Sequence, residues 1–320
     1  MTKDRYGLTA RDALALDAAK LSLTGLTQQQ IAAELYVDRA TVSKLLATAR
    51  AKGLLHTEVR DPRELDTELR DGLLERYGLA SVRIIAPVGR GPMDLRRSLG
   101  RAGADAVASL VQDGDRIGLW WSQTTAELAL AAEPIARRGV SIVDLNGTAP
   151  GGSPHPGWEQ ARAALADAWG ATTRPMHAPL VFPTLGAKLD AELDACLRAL
   201  LAEQAGCRIA VFGTTTARAL LAALPEPLPP DEAASVVDAA VGHVCGRLID
   251  ADARIAAPVT NQRTTGISLP ALRTIEQKVL VAGGADKVAA MAAILGNRYA
   301  DHLVTDTATA ELLLHGASRA

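Results

Sequence analysis

Residues 27–55 read TQQQIAAELYVDRATVSKLLATARAKGLL, a stretch that contains the signals of two short helices joined by a tight turn. Thr27 is a favoured N-cap residue, and Gln30 three positions later completes a capping box. Asp38 then caps a second helix whose apolar residues share one face. These apolar residues are Val42, Leu45, Leu46 and Ala49. Two helices connected in this way predict a helix-turn-helix unit, which fits the major groove of DNA.

The flanking residues extend this unit in both directions. A preceding helix is predicted from Thr9, which caps with Asp12, to Gly25, which ends it. Gly53 ends the last helix, and the run LLHTEV after it is a candidate for a short wing strand.

The residues predicted to contact DNA lie at the starts of the two helices. Four of them begin the second helix and avoid its apolar face, where they can reach base edges. Two glutamines begin the first helix, where side chains and free N–H groups can hold phosphate. The set is Gln28, Gln29, Arg39, Thr41, Ser43 and Lys44. The alternative is an ordinary helical hairpin whose charges are only solvated.

Charge is distributed unevenly along the 320-residue chain, which carries −2 overall. Residues 1–60 contain nine Lys/Arg and six Asp/Glu, a net +3, so the remainder carries −5. A small basic unit on an acidic body restricts phosphate attraction to that unit. The hydrophobic content of 48% is sufficient for a sizeable core.

Composition also limits the compartment and the cofactors. The three cysteines are isolated and lack metal-ligand spacing, so they are expected to be buried thiols in a reducing cytoplasm. The N-terminus lacks a signal-peptide core, and no run of about 18 apolar residues suggests a membrane span. We therefore expect a cytoplasmic protein without a metal or cofactor.

From Ser81 onward, short β-rich runs alternate with alanine-rich helical segments. The predicted strands are SVRIIAPV, RIGLWW, VSIVDL, RIAVFG, KVLVAGG and HLVT. This alternation predicts an α/β domain with a mainly parallel, Rossmann-like sheet between two layers of helices. The predicted domains are residues 1–60 and 81–320, joined by a helical connection over 61–80. The amphipathic segment ELDTELRDGLLERYGL in this connection either pairs between protomers or packs on its own domain.

Polar and glycine-containing segments follow four of these strands. Ligands of such sheets bind at the carboxyl ends of the strands, where helix N-termini offer N–H groups. Lys287 is placed near a helix N-terminus, which is unfavourable for a cation unless an anion binds there. The candidate effector-binding residues at the strand ends are Ser122, Gln123, Thr124, Thr125, Asn146, Gly147, Gly213, Thr214, Gly283, Gly284 and Lys287, with Thr148, Thr215 and Thr216 beside them.

The helix-turn-helix stretch occurs together with VGHVCGRLIDADAR, RTTGISLPALRTI, VLVAGGADKVAAMAAIL and HLVTDTATAELLL. This ordered set resembles the SorC family of bacterial sugar-binding transcriptional regulators over nearly the whole chain. The resemblance implies an effector domain similar to sugar-phosphate isomerases and deaminases, control by a small and often phosphorylated sugar, and a homodimer or homotetramer. It also implies a phosphate loop at residues 122–125 and a glycine-lysine element at Gly283, Gly284 and Lys287.

The chain departs from the family pattern at three positions. His243 stands where an acidic residue is expected, and Trp120 and Trp121 precede the loop where smaller residues are usual. His243 is therefore also a candidate effector ligand, and an indole can stack on a sugar face. The alternative is that all three residues only pack in the core.

Two functions remain in competition at this stage. The first is a regulator of a carbohydrate operon whose operator affinity changes with a sugar, polyol or sugar-phosphate effector. The second is an isomerase or deaminase that carries an accessory DNA-binding unit and uses a base over a sugar carbon. The candidate bases are Glu127, Asp144, His243 and Asp306, which form no recognisable catalytic motif in the sequence.

Overall fold

A computed structural model describes residues 8–55, 66–89, 91–147, 157–224 and 227–316. The chain divides into two compact units, residues 1–60 and residues 61–320.

The first unit is built from three helices, α1 (Ala10–Leu23), α2 (Gln28–Glu34) and α3 (Arg39–Ala51). Thr9 and Thr27 each cap a helix through a complete capping box, and Asp38 accepts the N–H of Thr41 to cap α3. Gly25 and Gly53, just beyond the ends of α1 and α3, have positive φ angles of 85° and 66°. The helices and caps predicted from the sequence are therefore confirmed. Residues 56–59 of the predicted wing strand lie outside the described residues.

The apolar face of α3 forms the core of this unit together with α1 and α2. Its four predicted core residues are buried against residues such as Ala15, Ala18 and Ile31. Lys52, at the end of α3, donates to the carboxylate of Asp12 in α1 at 2.6 Å. The hydrogen bond from Lys52 holds the pKa of Asp12 below its usual value. These contacts fix α3 on α1 and leave the other face of α3 exposed.

The second unit contains a seven-stranded sheet in which every neighbouring pair is parallel. Its order is β1-β9-β8-β5-β2-β3-β4. The strands are β1 (Ser81–Ile85), β2 (Arg116–Leu119), β3 (Ser141–Asp144), β4 (Thr172–Arg174), β5 (Ile209–Phe212), β8 (Gln277–Val281) and β9 (His302–Asp306). A separate hairpin pairs β6 (Gly242–Val244) with β7 (Arg247–Ile249). The order reverses direction between β2 and β5, which is where open α/β sheets bind ligands.

Helices cover the sheet and connect its strands. They are α4 (Thr67–Tyr77), α5 (Pro92–Leu110), α6 (Gln123–Ala131), α7 (Trp158–Trp169), α8 (Leu185–Ala191), α9 (Ala195–Ala205), α10 (Ala217–Ala222), α11 (Pro230–Ala239), α12 (Pro258–Arg263), α13 (Leu269–Thr274), α14 (Val288–Gly296) and α15 (Thr307–His315). None of these described helices is long and apolar enough to cross a membrane.

Alternate residues of the central strands face two different cores. In β5, Ile209 and Val211 belong to one buried cluster, whereas Ala210 and Phe212 belong to the other. This arrangement explains the continuous apolar runs in the sequence, because a parallel strand is covered on both faces. Each of the six predicted runs contains a strand, so the predicted α/β fold is confirmed. Strand β4 and the β6–β7 hairpin were not predicted, because each strand has only three residues and TTR of β4 is polar.

Helix α4 packs on the second unit. Leu69 and Leu73 are buried in the same cluster as Leu313 of α15 and Ile84 of β1. The segment therefore packs on its own domain, and its pairing between protomers stays a prediction. Leu65, which the same interpretation included, lies outside the described residues.

A buried arginine fixes the loop that follows α12. Arg247 is 8% exposed, and its guanidinium donates to the carbonyl oxygens of Asn261, Thr264, Gly266 and Ile267 at 2.8–3.1 Å. Burial lowers the pKa of Arg247, and no carboxylate in the described part of the chain forms an ion pair with it. Backbone carbonyls thus replace water around this cation.

The loop held by Arg247 attaches to the end of β3. The N–H of Ile267 donates to the carbonyl oxygen of Leu145 at 3.1 Å, and Gly266 forms an isolated antiparallel β-bridge with Asn146. Arg247 therefore stabilises the strand end at which Asn146 and Gly147 lie.

We predict that Arg247→Lys destabilises the second unit. A buried carbonyl without its donor costs about 1–3 kcal/mol. Lysine has three donors but lacks the planar guanidinium that reaches four carbonyls. We therefore expect the free energy of unfolding to fall by about 3 kcal/mol. Urea denaturation followed by tryptophan fluorescence measures this loss, because all four tryptophans lie in residues 61–320. Arg254→Lys is the control, since Arg254 is exposed and should change stability by less than about 0.5 kcal/mol. Equal stability of both variants would contradict the role given to Arg247.

Candidate functional site

The exposed face of α3 carries most of the residues predicted to contact DNA. Arg39, Ser43 and Lys44 are exposed, and Gln29 is exposed at the start of α2. Gln28 is half-buried. None of these side chains is needed for the core of the unit, which leaves them free to bind a partner.

Thr41 differs from the other predicted contacts because it takes part in the helix cap. Its N–H and its hydroxyl donate to the two carboxylate oxygens of Asp38 at 2.7 and 2.8 Å. These bonds also lower the pKa of Asp38. The hydroxyl of Thr41 thus remains available only as an acceptor, and its methyl group as an apolar contact.

The second unit has a cavity of about 640 Å³ at the carboxyl ends of β2, β3 and β5. It lies at the reversal of strand order and is lined by nine of the predicted effector residues. These are Ser122, Gln123, Thr124, Asn146, Gly147, Gly213, Thr214, His243 and Lys287. Thr148, predicted next to Gly147, lies outside the described residues.

Three predicted residues do not line this cavity. Thr125 is fully buried, and its hydroxyl donates to the carbonyl of Trp120 at 2.7 Å. A Cβ on Gly283 would lie 2.3 Å from the Asp306 carboxylate, and the N–H of Gly284 donates to Thr309. Thr125 therefore completes the α6 cap, whereas the two glycines allow the chain to turn tightly beside β9.

One end of the cavity is positively charged. Lys287 ends a 3-10 turn (Ala285–Lys287) directly before α14, and Arg96 of α5 lines the same cavity. Burial lowers the pKa of Lys287; the nearby Arg96 acts in the same direction, while Asp286 and Asp306 oppose it. Neither cationic side chain forms a direct hydrogen bond or close ion pair with a residue that the structure describes, so Asp286 and Asp306 act on Lys287 only through their charge. The N-terminus of α6, beginning at Gln123, adds a positive helix end.

His243 is a neutral donor in the cavity wall. It is 2% exposed, and burial, with a smaller effect of Lys287, lowers its pKa to about 3. Its Nδ1 accepts the N–H of Gly246 at 3.3 Å, so the ring proton resides on Nε2. The ring packs against Trp120 with a centroid distance of 5.2 Å.

A buried carboxylate supports the opposite wall. Asp144, at the end of β3, accepts from Trp121 Nε1 at 2.6 Å, from an Arg162 guanidinium N–H at 2.9 Å and from the N–H of Met176 at 3.0 Å. The Arg162 guanidinium also lies 5.1 Å from the Trp121 ring centroid. Burial raises the pKa of Asp144, and these donors counteract it. The polar atom of Trp121 is therefore committed to the fold.

The remaining wall is apolar. Trp120, Trp158 and Leu180 line this wall. One side of α10 and the two residues that follow α10 complete it. The lining residues of that side are Ala219, Leu220, Ala222, Ala223 and Leu224. No aspartate or glutamate is among the described lining residues. The cavity therefore combines a cationic end with an apolar, aromatic wall.

Sequence reasoning missed Arg96, Trp158 and the contribution of α10. Arg96 lies in the second turn of α5, the helix that follows β1, so its helix also begins at the carboxyl edge of the sheet. Applying the strand-to-helix rule to the first strand would have found it. Trp158 and α10 are far in the sequence from the loop after β2. They meet this loop only because of the order of the strands in the sheet.

A larger groove of about 920 Å³ lies elsewhere on the second unit and contains none of the predicted residues. Its clearest feature is Arg273, whose guanidinium lies 4.5 Å from the ring centroid of Tyr299. Because its polar groups already interact with each other, we do not assign the effector to it. Among the described residues, no group of three or more His, Cys, Asp or Glu is arranged to hold a metal ion.

Comparison with family models divides the chain in the same way. Residues 61–315 match the family described as "Putative sugar-binding domain", and residues 6–64 match the MarR family. The first match alone covers more than half of the chain.

Relatives and solved structures agree with these matches. The chain is 32% identical over 305 residues to the deoxyribonucleoside regulator of Bacillus subtilis, covering 94% of this chain and 97% of the relative. It is 26% identical over 296 residues to the transcriptional regulator LsrR of Escherichia coli, covering 91% and 90%. The full-length sorbitol operon regulator SorC from Klebsiella pneumoniae superposes with a TM-score of 0.74 at 21% identity, covering 96% of this chain and all of that one. The chain therefore belongs to the SorC family of sugar-binding transcriptional regulators and is a DNA-binding regulator of a sugar-related operon.

Proposed function

We propose that the effector of this regulator is a phosphorylated sugar with few hydroxyl groups, which binds in the 640 Å³ cavity and alters operator binding by α3. The observation that carries this proposal is the pair of unpartnered cations, Arg96 and Lys287, in a cavity whose described lining has no carboxylate. The protein acts in the cytoplasm as a homodimer or homotetramer on a two-fold or repeated operator.

The cationic end fits a phosphate group. Arg96 offers a planar donor fork and Lys287 a point charge, and both bind phosphate well when no carboxylate competes. The N-terminus of α6 adds backbone donors beside Ser122 and Gln123. A neutral sugar would leave both cationic side chains without a bound anion in a half-buried site.

The opposite wall supports a ligand with an apolar face. Each hydroxyl of a sugar needs an acceptor when it is buried, but several acceptors here are already used. The Asn146 side-chain oxygen already accepts from Trp121, the Ser122 hydroxyl accepts in the α6 cap, and His243 presents a donor. Trp120 and Trp158 instead offer surface to carbon-bound hydrogens. The name of the Bacillus relative, a deoxyribonucleoside regulator, agrees with a deoxysugar phosphate.

Catalysis by the same cavity is less well supported. Asp144 is held by three donors, and Asp306 caps α15 by accepting the N–H and hydroxyl of Thr309. His243 has a pKa of about 3, too low for a base at neutral pH. Glu127 is not among the residues that line the cavity. The relatives are likewise transcriptional regulators.

We predict that Arg39→Ala and Lys44→Ala each weaken operator binding by about 1–3 kcal/mol, because each removes a cationic donor from the groove. The measurement is fluorescence anisotropy with a duplex that the wild-type protein selects from a random library. Arg50→Ala is the matched control, since it also removes an exposed cation, from the last turn of α3. If all three variants bind like the wild type, α3 is not the DNA-binding helix.

We predict that the protein binds 2-deoxyribose 5-phosphate about 10–100-fold more tightly than ribose 5-phosphate, the range in which an apolar pocket rejects one added hydroxyl. Calorimetry gives both affinities, and the fluorescence of Trp120 and Trp158 in the cavity wall provides a second measurement. Tighter binding of ribose 5-phosphate or of hexose phosphates would refute the hydroxyl-poor assignment while leaving the phosphate assignment intact.

We also predict that Arg96→Ala and Lys287→Ala each weaken binding of 2-deoxyribose 5-phosphate by about 1.5–3 kcal/mol, the range for hydrogen bonds to charged groups. Operator affinity without effector should stay unchanged. The matched control is Arg97→Ala, because Arg97 is the exposed neighbour of Arg96 and does not line the cavity. Unphosphorylated 2-deoxyribose should bind wild type and variants alike; a loss of affinity for this sugar as well would mean that the two cations do not act on the phosphate.

A further inference from the structure

The turn between α2 and α3 contains a residue in an unfavourable backbone conformation. Tyr36 has a φ angle of +55°, in the left-handed region that favours glycine. Its N–H donates to the carbonyl oxygen of Ala33, and the N–H of Val37 donates to the carbonyl oxygen of Ala32 at 3.0 Å. These two bonds end α2 in a Schellman-type turn. Glycine would occupy this position without strain, so the tyrosine destabilises the turn.

The side chain of Tyr36 does not offset this strain by packing. It is 95% exposed, whereas its neighbours Leu35 and Val37 pack against the core of the first unit. Among the described residues it is the one aromatic side chain in the group of exposed large apolar residues. A strained and uncovered aromatic residue is more consistent with a contact to a partner than with a role in the fold.

The location of Tyr36 indicates what the partner is. It lies two residues before Asp38, the cap of α3, and three before Arg39. Both oxygens of Asp38 accept from Thr41, so this carboxylate is occupied within the cap. Tyr36 thus stands at the entrance of the helix that carries the predicted base contacts.

We propose that Tyr36 is a DNA-backbone contact whose phenolic hydroxyl donates to a phosphate oxygen and whose ring packs on the adjacent deoxyribose, anchoring the start of α3 in the groove. Tyrosine is among the side chains that bind phosphate oxygens without sequence information. The assignment rests on α3 being the DNA-binding helix. Glycine would relieve the strain of the turn but would remove the anchor.

Tyr36→Gly and Tyr36→Phe test this assignment with two 30-base-pair duplexes, one selected by the wild-type protein and one of the same composition in scrambled order. Anisotropy is measured at several KCl concentrations. We expect Tyr36→Gly to weaken binding to both duplexes by the same factor, roughly 10–150-fold, the effect of losing a hydrogen bond to a charged group. Tyr36→Phe should reproduce most of this loss. The phenolic hydroxyl donates the hydrogen bond to the phosphate, and phenylalanine lacks only this group.

The salt dependence distinguishes this contact from those of the cationic residues. Tyr36 is uncharged, so both variants should keep the wild-type slope of log affinity against log salt, whereas Lys44→Ala should reduce the slope by about 1. Tyr36→Gly should also raise the melting temperature of the first unit, which excludes misfolding as the cause of weaker binding. Leu23→Ala is the control, because Leu23 is an apolar residue of the same unit that is 72% exposed; its DNA affinity should stay unchanged.

Three results would overturn the proposal. Wild-type affinity of Tyr36→Gly for both duplexes would mean that Tyr36 does not touch DNA. A loss for the selected duplex alone would assign Tyr36 to base recognition or to helix positioning instead of the backbone. A changed oligomeric state with unchanged DNA affinity would assign it to a protein contact. If Arg39→Ala and Lys44→Ala also leave binding unchanged, the failure lies in the assignment of α3 and not in Tyr36 alone.

Discussion

The buried carboxylate of Asp144 is the interaction on which the effector cavity depends. It ends β3 in the interior and is compensated by Trp121, Arg162 and the N–H of Met176. Because a buried charge without partners is strongly destabilising, the ends of β2 and β3, helix α7 and the chain before α8 must keep these positions together. These contacts hold the ends of β2 and β3 together without a ligand, so little binding energy is needed to order this part of the wall.

Local patterns predicted the elements and many of the strand-end residues, but not the complete cavity. Caps such as Thr27 with Gln30 depend on neighbours within four residues, and the apolar runs reflect a covered sheet, so both are visible in the sequence. Arg96 lies in the helix after the first strand, where the strand-to-helix rule was not applied, whereas Trp158 reaches the cavity through the order of strands in the sheet, which no local pattern encodes. Thr125 was predicted from its motif, yet its hydroxyl is consumed by the cap that the same motif forms.

His243 illustrates how one departure from a family pattern changes the chemistry of a site. An acidic residue at this position would accept hydrogen bonds from sugar hydroxyls, whereas neutral His243 donates through Nε2 and cannot become charged near neutral pH. Burial lowers the pKa of the nearby Lys287, while Asp286 and Asp306 oppose this shift. If the effector contacts this ring, as we propose, His243 favours ligands rich in acceptors, such as phosphates and carbonyls, over ligands rich in hydroxyl donors.

The two ends of the cavity would contribute differently to the free energy of regulation. An effector that moves a two-state equilibrium from 1:99 to 99:1 must bind one state about 5.5 kcal/mol more tightly. Two hydrogen bonds to a charged phosphate, each contributing about 1.5–3 kcal/mol, approach this difference if Arg96 and Lys287 reach the phosphate in one state only. The apolar wall includes the buried core residues Trp120, Trp158 and Leu220; a wall that is the same in both states would contribute affinity and selectivity but would not shift the equilibrium. On the proposed function, signalling would depend on the phosphate end, and selectivity for the sugar on the aromatic end.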